Sequence, residues 1–136
     1  MTGVKGALVV PEGIEMPQGI LLFAHGARDP LWANPFLDIL DKVRSLRPTQ
    51  DVDLCFLELM HPSLDQAVQE QTRRGVTDLI IVPLFMAQGG HLRHDLPALI
   101  ETLHHQHPAL KIRVTTALGD SPELLEAIAQ WVITQA

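Results

Sequence analysis

The run Ile20-Leu21-Leu22-Phe23-Ala24-His25-Gly26-Ala27-Arg28-Asp29 decides the fold. Residues 20–24 are apolar without interruption, so a strand built from them has no face left for water. Such a strand belongs inside a sheet covered on both sides, and His25-Gly26 then falls at its carboxyl end. Histidine is a poor residue for a buried strand end unless something there needs an imidazole, which near neutral pH binds a metal or takes a proton. The arrangement recurs. Residues 79–82, Leu-Ile-Ile-Val, are the most apolar run of the chain, and Phe85-Met86-Ala87-Gln88-Gly89-Gly90-His91 comes shortly after them. Two strands, each followed by a histidine with glycine beside it, point to one site built from both.

Working outward, residues 34–46 place Phe36, Leu37, Ile39, Leu40, Val43 and Leu46 at helical spacing, and Pro48 stops that helix. Residues 52–57 read as a second strand. Ser63-Leu64-Asp65-Gln66 is an N-cap signature with Gln at the third helical position, opening a helix that ends near Gly75. A third helix is expected from His91 or Leu92 to His105, a fourth strand over 111–115, and a last helix, capped by Asp120 or Ser121 with Pro122 at its first position, to about Thr134. The order is β-α four times over, with strands apolar throughout. That predicts an α/β fold with right-handed crossovers, a flavodoxin-like doubly wound parallel four-stranded sheet flanked by helices. Residues 1–19, rich in Gly and Pro around Ala7-Leu8-Val9-Val10, read as an irregular leader or an added edge strand. Residues 20–136 read as a single domain.

The chain of 136 residues is 46% hydrophobic with a mean hydropathy of +0.14, the balance of a globular protein. A net charge of −6 argues against electrostatic binding to nucleic acid, and four Phe, two Trp and no Tyr offer no stacking platform for single strands. Cys55 is alone, so no intrachain disulfide forms, which suits a reducing compartment. No stretch approaches the ~20 apolar residues of a membrane span, and no secretory signal is visible. The expectation is a cytoplasmic protein with neither membrane nor nucleic acid as partner. Phosphate-binding Gly-rich motifs, Cys-x-x-Cys and Gly-x-Ser-x-Gly are all missing.

In open parallel sheets ligands bind at the carboxyl ends of strands where strand order reverses. With order 2-1-3-4, His25, Glu58 and His91 would follow adjacent strands roughly 4.8 Å apart. Two imidazoles and a carboxylate without thiolate suit a borderline divalent transition metal with positions left open. Gly89 and Gly90 would let the backbone bend and a flat ligand approach. Arg28 and Arg93, one near each histidine, match peripheral carboxylates of a polyanionic ligand, although an ordinary surface salt bridge explains them equally. Other readings are plainer. Glu58 also fits a solvent-facing strand-end carboxylate, Asp29 a turn, Asp95 a helix-terminus charge, and His94 a first-turn surface residue or an anion contact. His104, His105 and His107 fit the C-terminus of a helix, where cationic side chains complement the dipole. Trp32, Phe36 and Trp131 read as core aromatics, with an interface role as the alternative.

Three segments carry a resemblance. Residues 22–30, Leu-Phe-Ala-His-Gly-Ala-Arg-Asp-Pro, residues 56–64, Phe-Leu-Glu-Leu-Met-His-Pro-Ser-Leu, and residues 82–97, with Gly89-Gly90-His91-Leu92-Arg93-His94-Asp95-Leu96-Pro97 at their end, resemble in order and spacing the small CbiX/SirB-type sirohydrochlorin chelatases. These belong to the class II tetrapyrrole chelatases, and the resemblance covers about residues 20–135. It implies a chelatase-like form of the flavodoxin-type fold and insertion of Co2+, Fe2+ or Ni2+ into sirohydrochlorin without ATP. The metal would be substrate, with no tightly bound cofactor, and the working form would be a homodimer. The family's two essential histidines fall on His25 and His91 and its acidic position on Glu58; the family usually has Ser where this chain has Ala27. The expected mechanism has His25 and His91 hold the metal as neutral imidazoles and accept the pyrrole protons, with Glu58 as third ligand or orienter. Arg28, Gly89, Gly90 and Arg93 would bind the macrocycle. A non-catalytic metal or tetrapyrrole carrier on the same fold is the competing reading. Neither the choice of metal nor the pathway served, cobalamin, sirohaem or a nickel tetrapyrrole, is written in these residues.

Overall fold

A computed structural model describes residues 18–136 except Gln88, and of His91 the backbone alone. The leader therefore lies outside the described residues up to position 17. The elements are β1 (Gly19–Ala24), α1 (Asn34–Leu46), β2 (Asp51–Phe56), α2 (Leu64–Arg73), β3 (Asp78–Pro83), α3 (Gly90–Gln106), β4 (Lys111–Val114) and α4 (Pro122–Gln135). Short 3-10 turns at Pro30–Ala33 and Leu118–Asp120, which helical periodicity does not announce, precede α1 and α4. The strands form one parallel sheet in the order β2-β1-β3-β4.

The apolar run of β1 occupies the centre. Leu21, Phe23 and Ala24 are fully buried because β2 and β3 flank them and helices cover both faces. On one face Leu21, Phe23, Leu79 and Ile81 pack with Val68 of α2 and Leu96 and Leu103 of α3. On the other, Leu22, Ala24, Val52, Leu54 and Phe56 pack with Leu40 of α1. The helix starts follow local chemistry. Ser63 Oγ accepts from the Gln66 N–H at 3.1 Å while the Ser63 N–H donates to Gln66 Oε1 at 2.9 Å, the reciprocal cap expected of this sequence. Asp29 Oδ1 accepts from the Leu31 N–H at 3.0 Å, so Asp29 is the turn residue it was read as.

Gln71 is fully buried and joins α2 to the sheet, its Nε2 donating to the Asp51 carbonyl and to Asp53 Oδ2, each at 3.1 Å. Arg74 pairs with both Asp51 and Asp53. The outer edge of β2 is covered at two points. Arg44 Nε donates to the Val52 carbonyl at 2.8 Å, and the Phe56 N–H donates to the Pro62 carbonyl at 2.9 Å.

One expectation needs correction. The strands are not all buried on both faces: in β4 only Ile112 is buried, and β3 alternates between buried and half-buried residues. The cause is α4, which has no buried residue. Leu124, Leu125, Ile128, Trp131, Val132 and Ile133 stand 41–69% exposed. Trp131 at 64% is therefore no core residue, whereas Trp32 and Phe36 are, with rings 4.6 Å apart against the α1-side core.

Candidate functional site

At the carboxyl end of the sheet the β1–β2 pairing runs on past both strands. The Leu57 N–H donates to the Ala24 carbonyl at 2.9 Å and the Glu58 N–H to the His25 carbonyl at 3.1 Å, so His25 and Glu58 are hydrogen-bonded neighbours. On the other side the Leu84 N–H donates to the Phe23 carbonyl at 2.8 Å. Gly26 makes the approach possible. Its φ is +97°, and a Cβ at this position would collide with the Glu58 carbonyl oxygen. Glycine is required here on both counts.

His25 is exposed, with its ring edge-to-face against Phe85 at 6.0 Å between centroids; Phe85 meets Phe23 of the core in the same way at 5.4 Å. The imidazole thus has an apolar back wall and an open front. In front lies a cavity of about 550 Å³ lined by His25, Leu57, Glu58, Leu92, Asp95, Ala98, Leu99 and Thr102. That volume is in the range of small-molecule sites. A second hollow of about 340 Å³, beside the β2 edge, is lined in part by Arg44, Asp53, Glu70 and Arg74, which pair with one another.

Of the residues singled out from sequence, the structure brings His25 and Glu58 together in the larger cavity. The side chain of His91 lies outside the described residues; its backbone is in the first turn of α3. Among the described residues no three His, Cys, Asp or Glu side chains are grouped to hold a metal ion. Arg28, in the loop after β1, and Arg93, near the start of α3, are exposed and are not among the lining residues. The bend expected of Gly89-Gly90 does not need glycine. Gly89 has φ −67° and ψ 161°, which any residue adopts, and a Cβ at either position would meet open space. His94 is exposed in the first turns of α3; His104 and His105 occupy its last turn and His107 caps it.

Asp95 is the residue the sequence misplaced. With α3 beginning at Gly90 it sits in the second turn and lines the cavity. Leu92, Asp95, Leu99 and Thr102 share one helix face by their spacing, and that periodicity was available in the sequence. Of the charged lining residues, Glu58 and Asp95 are both acidic. Cys55, below the site, is fully buried; burial, reinforced by Asp53, pushes its thiol up to about 12, so it stays protonated and inert.

An open parallel sheet covered by helices, with a cavity where its strand order reverses, defines a protein of doubly wound α/β fold. A CbiX protein of Marinobacter aquaeolei VT8, ascribed to cobalamin (vitamin B12) biosynthesis, shares it with a TM-score of 0.78 and 35% identity, over 88% of this chain and 97% of that one. The CbiX family model matches residues 19–135, and the chain belongs to the CbiX family.

Among curated relatives, the sirohydrochlorin cobaltochelatase of Saccharolobus solfataricus is 28% identical over 123 residues, covering 84% of this chain and 92% of that protein. The sirohydrochlorin ferrochelatase of Bacillus subtilis is 25% identical over 113 residues, 83% of this chain but 43% of that protein. This chain thus spans less than half the length of the Bacillus enzyme. SirB of Bacillus subtilis subspecies spizizenii, solved in complex with cobalt, shares the fold at a TM-score of 0.72 and 24% identity, over 85% of this chain and 49% of that one.

Proposed function

We propose that this chain inserts a divalent metal ion, Co2+, Fe2+ or Ni2+, into sirohydrochlorin without ATP. The observation that carries the reading is the joining of His25 and Glu58 at one cavity mouth in a CbiX-family chain, several of whose relatives are named sirohydrochlorin chelatases. Metallation removes two protons from pyrrole nitrogens as one dication enters the ring. His25 accepts one proton and His91 the other, each having first held the metal as a neutral imidazole. Glu58 serves as third ligand or orients an imidazole. The acidic lining, Glu58 with Asp95, attracts a dication and disfavours the peripheral carboxylates of the tetrapyrrole. Those carboxylates turn outward to Arg28 and Arg93, and the ring passes over Gly89 and Gly90.

Two copies of the chain form the working unit. What supports this is α4 with its exposed apolar face, together with Ile80 and Val82 of β3, which are only partly buried on the α1 side of the sheet. The helix of one copy completes the cover of this face in the other, and a symmetric exchange closes both. The chain covers 44% and 43% of two ferrochelatase relatives, which are thus about twice as long.

The test is anaerobic absorbance of sirohydrochlorin mixed with protein and each metal in turn. Multiple turnovers support the enzyme, and uptake that stops at one equivalent per protein makes it a carrier. His25→Ala and His91→Ala are each expected to abolish turnover, and full activity in either removes its residue from the mechanism.

A further inference from the structure

Leu59 follows Glu58 directly and is the one non-glycine residue with positive φ among those described, at +66°. It forms the middle of a three-residue turn closed by the Met60 N–H donating to the Glu58 carbonyl at 2.8 Å. Left-handed backbone presses the Cβ of an L-residue against a carbonyl oxygen; glycine escapes this, asparagine tolerates it, and leucine does neither. Packing does not compensate. Leu57 and Met60 each rest against one of the two cores, while Leu59 belongs to neither and is 58% exposed. The position carries both backbone strain and a wet apolar side chain, which glycine would remove together. Strain of this kind persists where a function uses it.

We propose that Leu59 is a substrate-contacting residue, held out beside Glu58 by its left-handed turn so that it packs on the flat apolar ring system when the cavity fills. The assignment rests on the tetrapyrrole reading given above. Glu58 lines the cavity and Leu59, next along the chain, does not, so the contact requires a ligand broad enough to extend past Glu58. Covering the exposed part of one leucine is worth about tenfold in affinity.

The experiment compares Leu59→Gly and Leu59→Asn, which relax the backbone and delete the apolar group, with Leu59→Met, which restores an apolar side chain. The readouts are sirohydrochlorin affinity by metal-free absorbance titration, KM for sirohydrochlorin and for Co2+, the unfolding temperature, and mass by sedimentation. The Gly and Asn variants are expected to unfold no earlier than wild type, to bind sirohydrochlorin about tenfold more weakly, and to keep the KM for Co2+. The Met variant recovers the affinity. Unchanged sirohydrochlorin affinity in the Gly and Asn variants overturns the assignment, and a changed sedimentation mass with unchanged affinity gives Leu59 to a contact between copies instead. Turnover by wild type beside unaffected variants refutes the Leu59 role alone; a wild type that binds no sirohydrochlorin refutes the functional reading as well.

Discussion

Replacing Gly26 by alanine sets a methyl group where the Glu58 carbonyl oxygen lies, at a residue whose φ is +97°. Left-handed alanine costs about 1–2 kcal/mol. The collision is relieved only if the loop after β1 parts from the loop after β2, which breaks the 3.1 Å bond from the Glu58 N–H to the His25 carbonyl. That bond is worth about 1 kcal/mol net. The sum is about 2–3 kcal/mol, or a fall of roughly 10 °C in Tm for a domain of this size. The fold survives, because the Leu57 N–H to Ala24 carbonyl bond and the sheet register beneath it are not touched. The chemistry suffers more than the stability, since a displacement of about 1 Å between reacting groups costs on the order of a hundredfold in rate. Thermal unfolding by circular dichroism and the chelation rate on the same preparation check both halves. A Gly26→Ala protein that melts within about 2 °C of wild type and turns over at the wild-type rate would refute the close approach of the two loops.

Ser63→Ala removes the side-chain half of the α2 cap and is expected to lower stability by about 1 kcal/mol, read from urea midpoints, with turnover kept because α2 does not line the cavity. Cys55 makes a pH prediction. Its thiol is raised by burial from the ordinary 9.0 to about 12, so the unfolded chain releases that proton first as pH climbs. The stabilisation is complete below about pH 9 and is lost as pH rises through about 12; urea midpoints across that window should fall, and Cys55→Ala should lack this part of the slope. Trp131→Glu on α4 should shift the protein toward monomer in sedimentation without unfolding the sheet; an unchanged mass would detach α4 from the proposed association.

Much of the architecture was legible because its signals are local. The unbroken apolar runs at 20–24 and 79–82 each became a strand with its histidine beyond the end, and Ser63-Leu64-Asp65-Gln66 became the cap it spells. The 2-1-3-4 order that joins the first two strand ends also held. What stayed hidden depends on distant parts of the chain. Nothing around Gly26 announces that the Glu58 carbonyl will rest on it, and nothing around Leu59 announces a left-handed turn. Asp95, by contrast, was legible: its spacing from Leu92 and Leu99 puts the three on one helix face wherever α3 begins. The apolar content of α4 reads as core, yet the surface it suits is not offered by its own sheet.

The partly covered edge of β2 has a consequence for how this sheet can grow. Arg44 and the Pro62 carbonyl occupy backbone positions that an incoming strand would need, and Asp51 and Asp53 put carboxylates along the same strand. A stray strand finds part of its template taken there, which hinders edge-to-edge association on that flank. The opposite border, β4, is short and carries Lys111 and Arg113, a lighter guard. A strand added from another chain therefore meets a less obstructed edge at β4, which is only four residues long.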